Sequence, residues 1–177
     1  MSHTQIAVVV GSLRRDSFNR KLASAIVKLA PSDFSFKQVQ IGNLPLYNQD
    51  DDATPSDPVK QLKAEIAASQ GLLFVTPEYN RSIPGVLKNA IDHASRPYGQ
   101  NAWAGKPAGV IGASVGAIGT SMAQQLCATC WRISTCRRWA SLKRLSMQKK
   151  DCLMRMAVLA WTAKNSCRPG WTGMRPG

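Results

Sequence analysis

Cysteine is missing from the first 126 residues of this 177-residue chain, and histidine occurs only as His3 and His93. Those absences leave the larger part of the chain without a thiol nucleophile, a disulfide framework or a metal-ligand spacing. Long hydrophobic runs are absent too. The least polar stretch, residues 107–118, is too short and glycine-rich to span a bilayer. Met1-Ser2-His3-Thr4-Gln5 lacks the charged and apolar regions of a secretory leader. A soluble, cytoplasmic chain with no membrane contact is the expectation. With 44% hydrophobic residues there is enough apolar material for one packed core, so disorder, collagen-like repeats and a disulfide-dense mini-protein are excluded.

Acidic residues are also scarce, 10 against 23 Lys and Arg, for a net charge of +13. A uniform excess of that size would point to nucleic acid, but this one is lopsided. Residues 1–125 carry 12 basic and 9 acidic side chains, whereas residues 126–177 carry 11 basic and one acidic, Asp151. The same last stretch holds all five cysteines (Cys127, Cys130, Cys136, Cys152, Cys167) and four of the five tryptophans. The two compositions are therefore read separately, as 1–125 and 126–177.

In the first part, Ile6-Ala7-Val8-Val9-Val10 reads as a buried parallel strand ending at Gly11-Ser12. Phe18, Leu22, Ile26 and Leu29 follow at helical spacing. Residues 34–41 alternate as a second strand, and residues 42–58 form a long turn-rich loop of the kind that is often functional. A helix is predicted over 59–69 with Gly71 as its stop, then a strand over 72–76. Pro84 opens the next helix with Ser82 as candidate cap. A fourth strand over 108–113 and a helix starting at 119–125 complete the series. The order β-α-β-α-β-α-β-α predicts an α/β fold, a doubly wound parallel sheet with helices on both faces. Ligands of such sheets bind beyond the C-terminal strand ends, where the winding switches direction.

Three segments fall there. Residues 11–19, Gly-Ser-Leu-Arg-Arg-Asp-Ser-Phe-Asn, pass from strand to helix and bring hydroxyls, an amide, backbone N–H groups and Arg14 toward one anion. The segment is neither a Walker A loop nor a GxGxxG dinucleotide loop. Residues 76–85 form a rigid turn whose amides can edge a planar ring. Residues 113–119 are small enough for a flat ligand to approach the backbone.

These segments carry the motifs GSLRRDSFNRKLA, PLYNQD, TPEYNRSIPGVLKNAIDH and GKPAGVIGASVGAIGTSMAQQ. Together they resemble the NAD(P)H-dependent FMN reductases of flavodoxin-like fold, particularly the bacterial quinone and chromate reductases. The resemblance runs from Ile6 to about Gln125. It implies noncovalent FMN, its phosphate held by Ser12, Arg14, Ser17, Phe18 and Asn19. It also implies ring contacts from Pro77, Glu78, Tyr79 and Asn80, with Ser114 and Gly116 nearby. NADPH or NADH would be the cosubstrate, and a quinone the acceptor, with free flavin, azo compounds or chromate as further candidates. A homodimer or homotetramer is implied, with the loop at Tyr47, Asn48 and Asp50 reaching a neighbouring subunit's flavin. No protein side chain need be catalytic and no metal is required, because a flavin carries the electrons itself. His93 reads as surface or interface packing. The alternative is a flavodoxin-type electron carrier.

The resemblance ends at Gln125, and residues 126–177 show no clear strand run. One CxxC (Cys127, Cys130) without a second pair at standard spacing argues against zinc, and charge without a binding motif argues against nucleic acid. Cys, Trp and Met have nearly fixed codons, so a shifted reading can be tried on paper. With permitted codons, the third base of Cys127 opens a frame giving RNVLAYLDVPTL, which looks like the missing part of the same family. The expectation is a frameshift near Leu126. A chain translated that way would lack its fifth strand and last helix. The apolar surface exposed, at roughly 25 cal/mol per Å², would outweigh a margin of about 5–15 kcal/mol and leave a misfolded, inactive product.

Overall fold

The computed structural model describes residues 4–133 and 139–141. Four βα units run in chain order: β1 (Thr4–Val10), α1 (Phe18–Leu29), β2 (Phe34–Val39), α2 (Asp57–Ala67), β3 (Gly71–Val75), α3 (Gly85–Ser95), β4 (Ala108–Ile111) and α4 (Ser121–Ile133). A short β5 (Trp139–Ser141) follows. All pairings are parallel and the sheet order is β2-β1-β3-β4-β5. That is the strand order of the flavodoxin-like fold, with its switch point between β1 and β3.

The alternation along β1 divides the core. Ala7 and Val9 face one side with Leu72, Phe74 and Val110, and there they meet Leu62 and Ile66 of α2, Leu87, Ala90, Ile91 and Ala94 of α3, and Ala123 and Cys127 of α4. Ile6, Val8 and Val10 face the other side with Leu73, Val75 and Ile111, packed by Ala23 and Ile26 of α1. Both sides of β1 and β3 are apolar because a central parallel strand is covered twice. Among the described residues no helix is long and apolar enough to cross a membrane.

Several local expectations are corrected. Gly71 does not stop α2, which ends at Ala68 in right-handed conformation; Gly71 opens β3, where a Cβ would stand 2.8 Å from Ile6 Cδ1. Ser82 does not cap α3, whose N-cap is Pro84; it pairs instead with Tyr79. The long loop contains a 3₁₀ turn (Gln49–Asp51) capped by Asn48, whose Oδ1 accepts from Asp50 N. The composition boundary at 125/126 falls inside α4, which continues to Ile133 with Cys127 fully buried. A fifth strand does form: Ala108 pairs with Trp139 in register. The expected closing helix, together with Cys136, Cys152 and Cys167, lies outside the described residues.

Candidate functional site at the C-terminal strand ends

Two glycines let the loops leave the sheet close together. A Cβ on Gly11 would stand 2.6 Å from Thr76 Oγ1, and one on Gly112 would collide with the Thr76 carbonyl. Backbone bonds from Gly11 N to Val75 O and from Thr76 N to Ile111 O, both 2.9 Å, hold the exits of β1, β3 and β4 in register. The three segments singled out in the sequence therefore emerge side by side.

The first reaches α1 through Ser17, its N-cap, whose Oγ accepts from Arg20 N at 3.4 Å. No acidic residue stands in the first turn of α1, so its partial positive charge is unopposed within the helix. Ser12 and Ser17 are buried at the base of this loop; Arg14 and Phe18 are exposed. Arg14 makes no ion pair among the described residues. Free N–H groups of a first turn, hydroxyls and an uncommitted guanidinium make a donor set that fits a phosphomonoester.

Asn19 is placed differently from expectation. Its side chain is 2% exposed and grips the Ala113 backbone, Oδ1 accepting from Ala113 N at 2.8 Å and Nδ2 donating to Ala113 O at 2.9 Å. It joins α1 to the end of β4.

The second segment is a two-residue hairpin. Tyr79 and Ser82 exchange both backbone bonds, at 3.0 and 2.9 Å. The turn residues Asn80 and Arg81 have φ of +50° and +63°, the paired left-handed conformation of a type I′ turn. For an arginine that conformation carries strain of about 1–2 kcal/mol, of the kind that gathers at functional sites. Pro77 and Glu78 precede the turn, and Tyr79 stands exposed on it. The carboxylate of Glu78 is turned inward: Oε2 accepts from Met122 N at 2.9 Å and Ala123 N at 3.2 Å, in the first turn of α4.

In the third segment Ser114 Oγ accepts from Gly116 N at 3.1 Å, and Gly119, at φ +66°, closes the turn into α4. Leu13, Phe18, Tyr79, Val115 and Ile118 are all exposed on these three loops. Apolar side chains left in water beside phosphate-type donors fit a ligand with an anionic tail and a flat apolar body.

The loop at Tyr47, Asn48 and Asp50 lies elsewhere, along α3. Asn89 Oδ1 accepts from Tyr47 N at 2.8 Å and its Nδ2 donates to Pro45 O at 2.7 Å. His93 Nε2 lies 2.9 Å from the same carbonyl, and its ring meets Tyr47 edge-on at 5.4 Å. His93 is therefore buried as a latch within one chain rather than on the surface. Tyr47 Oη donates to Asp52 Oδ2 at 3.4 Å; burial first and then the Asp52 charge raise the pKa of the phenol. A cleft of about 220 Å³ between this loop, α2 and α3 is lined by Asn48, Asp52, Lys63, His93 and Arg96, with none of the three strand-end segments in its wall. The bonding roles of Asn19, Glu78 and Asn89 escaped the sequence reading. Only Asn89 and His93, four apart on one helical face, left a signal there.

Residues 4–136 match the NADPH-dependent FMN reductase family. A 2-hydroxy-1,4-benzoquinone reductase of a Burkholderia species is 65% identical over 120 residues, 68% of this chain and 66% of that protein. A quinone reductase of Pseudomonas putida is 60% identical over 115 residues, 64% of this chain and 62% of that one. The chain thus matches somewhat less than two thirds of the length of these relatives. Among solved structures, the flavoenzyme FerB of Paracoccus denitrificans, an NAD(P)H:(acceptor) oxidoreductase, superposes with a TM-score of 0.82 at 38% identity. The superposition covers 92% of this chain and 98% of FerB.

Proposed function

The chain belongs to the NADPH-dependent FMN reductase family, and from that membership we propose that it holds FMN noncovalently and passes two electrons from NAD(P)H to a small acceptor. The observation that carries this reading is the junction of an α1 N-terminus whose first turn has no acidic residue with Arg14 beside the strained Tyr79–Ser82 hairpin. Ser12, Arg14, Ser17 and the first-turn N–H groups of Phe18 and Asn19 would hold the phosphate. Pro77, the exposed Tyr79 and the backbone of Glu78 and Asn80 would edge the ring, with Ser114 and Gly116 nearby. Bound FMN would supply hydride acceptance and two-electron storage. The residues around it bind and orient, and their exposed apolar side chains exclude water from the ring.

A quinone is the favoured acceptor, since two relatives bear quinone-reductase names; flavin, azo compounds and chromate follow from the same open face. Dependence on NAD(P)H supports a cytoplasmic location, and a homodimer or homotetramer is the assembly that the family resemblance favours. Rapid mixing of the FMN-loaded chain with NADPH tests the reading. Direct bleaching of the flavin absorbance followed by reoxidation on adding a benzoquinone is the expected result. A flavin that NADPH leaves oxidised, yet a one-electron donor reduces, would make the chain a carrier instead.

We also propose that residues 126–177 are an out-of-frame reading of the domain's own C-terminal part. The support is compositional, and the strong matches to relatives extend over only 64–68% of the chain. DNA sequencing that shows one unambiguous frame shared by several relatives would refute it.

A further inference from the structure

Glu78 and Asn19 lie in segments whose motifs imply flavin contact, yet both side chains are already committed to backbone. Glu78 is 8% exposed at its side chain, accepts from two N–H groups of α4, and stands 3.5 Å from Arg81 Nη1. Its partners are 44 and 45 residues away in sequence. Asn19 reaches across 94 residues to bond both backbone groups of Ala113. One bracket ties the β3–α3 hairpin to the start of α4. The other ties the start of α1 to the end of β4. The segment from Ala113 to Met122 is thereby pinned at both ends, each time to a different neighbour.

We propose that Asn19 and Glu78 are positioning residues that fuse the three strand-end loops into one platform before any ligand arrives. What the platform serves rests on the FMN reading above; that it is fused does not. The bonds are of the kind that hold geometry. The two Asn19 bonds and the Ala123–Glu78 bond are partly buried, and the Glu78 pair is charge-assisted. The charge has a second consequence. A helix N-terminus attracts anions, and those of α1, α3 and α4, which follow β1, β3 and β4, face this end of the sheet. Glu78 supplies α4 with an anion from the chain itself, while neither α1 nor α3 has a carboxylate in its first turn. A ligand's phosphate is thus steered away from the α4 end of the platform.

Amide hydrogen exchange on the full, flavin-free chain tests the brackets without reference to catalysis. In Glu78→Ala, exchange at Met122 and Ala123 should rise by about tenfold or more. The rise should spread to residues 113–119 and 79–82 while Val8, Val9 and Val10 keep their protection. Glu78→Gln, which retains an acceptor, should restore most of it. On the FMN-loaded chain, Glu78→Ala should still retain flavin through the phosphate, with the visible circular dichroism of the ring falling toward that of free FMN. Asn19→Ala should reduce the preference for FMN over riboflavin by about tenfold, since the phosphate loop would lose its register with the ring. A rise confined to Met122 and Ala123, a Gln variant no better than Ala, or unchanged ring dichroism would overturn the proposal. Should Glu78→Ala also expose β1 to exchange, Glu78→Asp, one methylene short of α4, takes its place with the same expected and overturning patterns. If the parent chain takes up no FMN, the functional reading fails, and the exchange result still decides the brackets.

Discussion

Replacing Gly112 by alanine should be the most damaging single-methyl addition near the site. A Cβ at that position would meet the Thr76 carbonyl and Thr120 Oγ1, both well under the 3.0 Å that real Cβ atoms observe. The Thr76 carbonyl is main chain at the exit of β3, locked by the bond from Thr76 N to Ile111 O at 2.9 Å. Relief therefore requires β3 and β4 to part, whereas an ordinary overpacked side chain would simply rotate. Overpacking typically costs about 1–3 kcal/mol, and a backbone collision belongs at or above the top of that range. For a chain of this size about 3 kcal/mol is a fall of roughly 6–12 °C in melting temperature. Gly116→Ala is the matched control, since its Cβ would meet only Ser114 Oγ at 3.6 Å, an ordinary contact. It should stay within about 0.5 kcal/mol of the parent. Thermal melts of both variants followed by far-ultraviolet circular dichroism read the difference directly. A Gly112→Ala chain melting within a degree or so of the parent would refute the close approach of β3 and β4 on which the site depends.

Further expectations concern the phosphate loop and α4. Arg14→Ala should weaken FMN retention by about tenfold to a hundredfold, as loss of a charge-assisted contact does, while the spectrum of flavin that stays bound is unchanged; equal affinity measured by equilibrium dialysis would remove Arg14 from that role. Burial first, with Cys130 second, pushes the Cys127 thiol up to about 12. An exposed thiol ionises near 8.5, so Cys127 should resist iodoacetamide at pH 8.5 in the native chain and react after unfolding. The same shift makes stability pH-dependent. The contribution from this thiol is fully present below about 8.5 and is lost as pH rises toward about 12, because only the unfolded chain then sheds the proton. Denaturant midpoints that stay level or rise across that interval in the parent, relative to Cys127→Ala, would contradict it.

Much of the fold was legible in the sequence for a simple reason. Ile6 to Val10 and Leu72 to Val75 are apolar on both faces, and Leu22 and Ile26 lie on one helical stripe, so local periodicity alone fixes strand, helix and the parallel winding. What stayed hidden depends on distant partners. The side chain of Glu78 bonds the first turn of α4 and that of Asn19 bonds Ala113, partners 44 and 94 residues away that no local pattern announces. For Ser82 and Gly71, pairing and packing override local chemistry. Each fits a cap or a stop, but pairing with Tyr79 and close packing on Ile6 decide their places. Trp103, fully buried with Nε1 donating to Ile91 O at 3.1 Å, sits in a connection with no periodic pattern to announce it.

The central claim is that the strand-end platform of this chain holds FMN. Its most direct test is the visible absorption spectrum of the purified protein, taken with the intact mass from the same sample. The account predicts a flavin spectrum, with FMN released on denaturation in an amount approaching one per chain; the mass then tells which reading of the last third accompanies it. A colourless protein with the mass of the 177-residue chain that remains colourless after incubation with FMN would contradict the account.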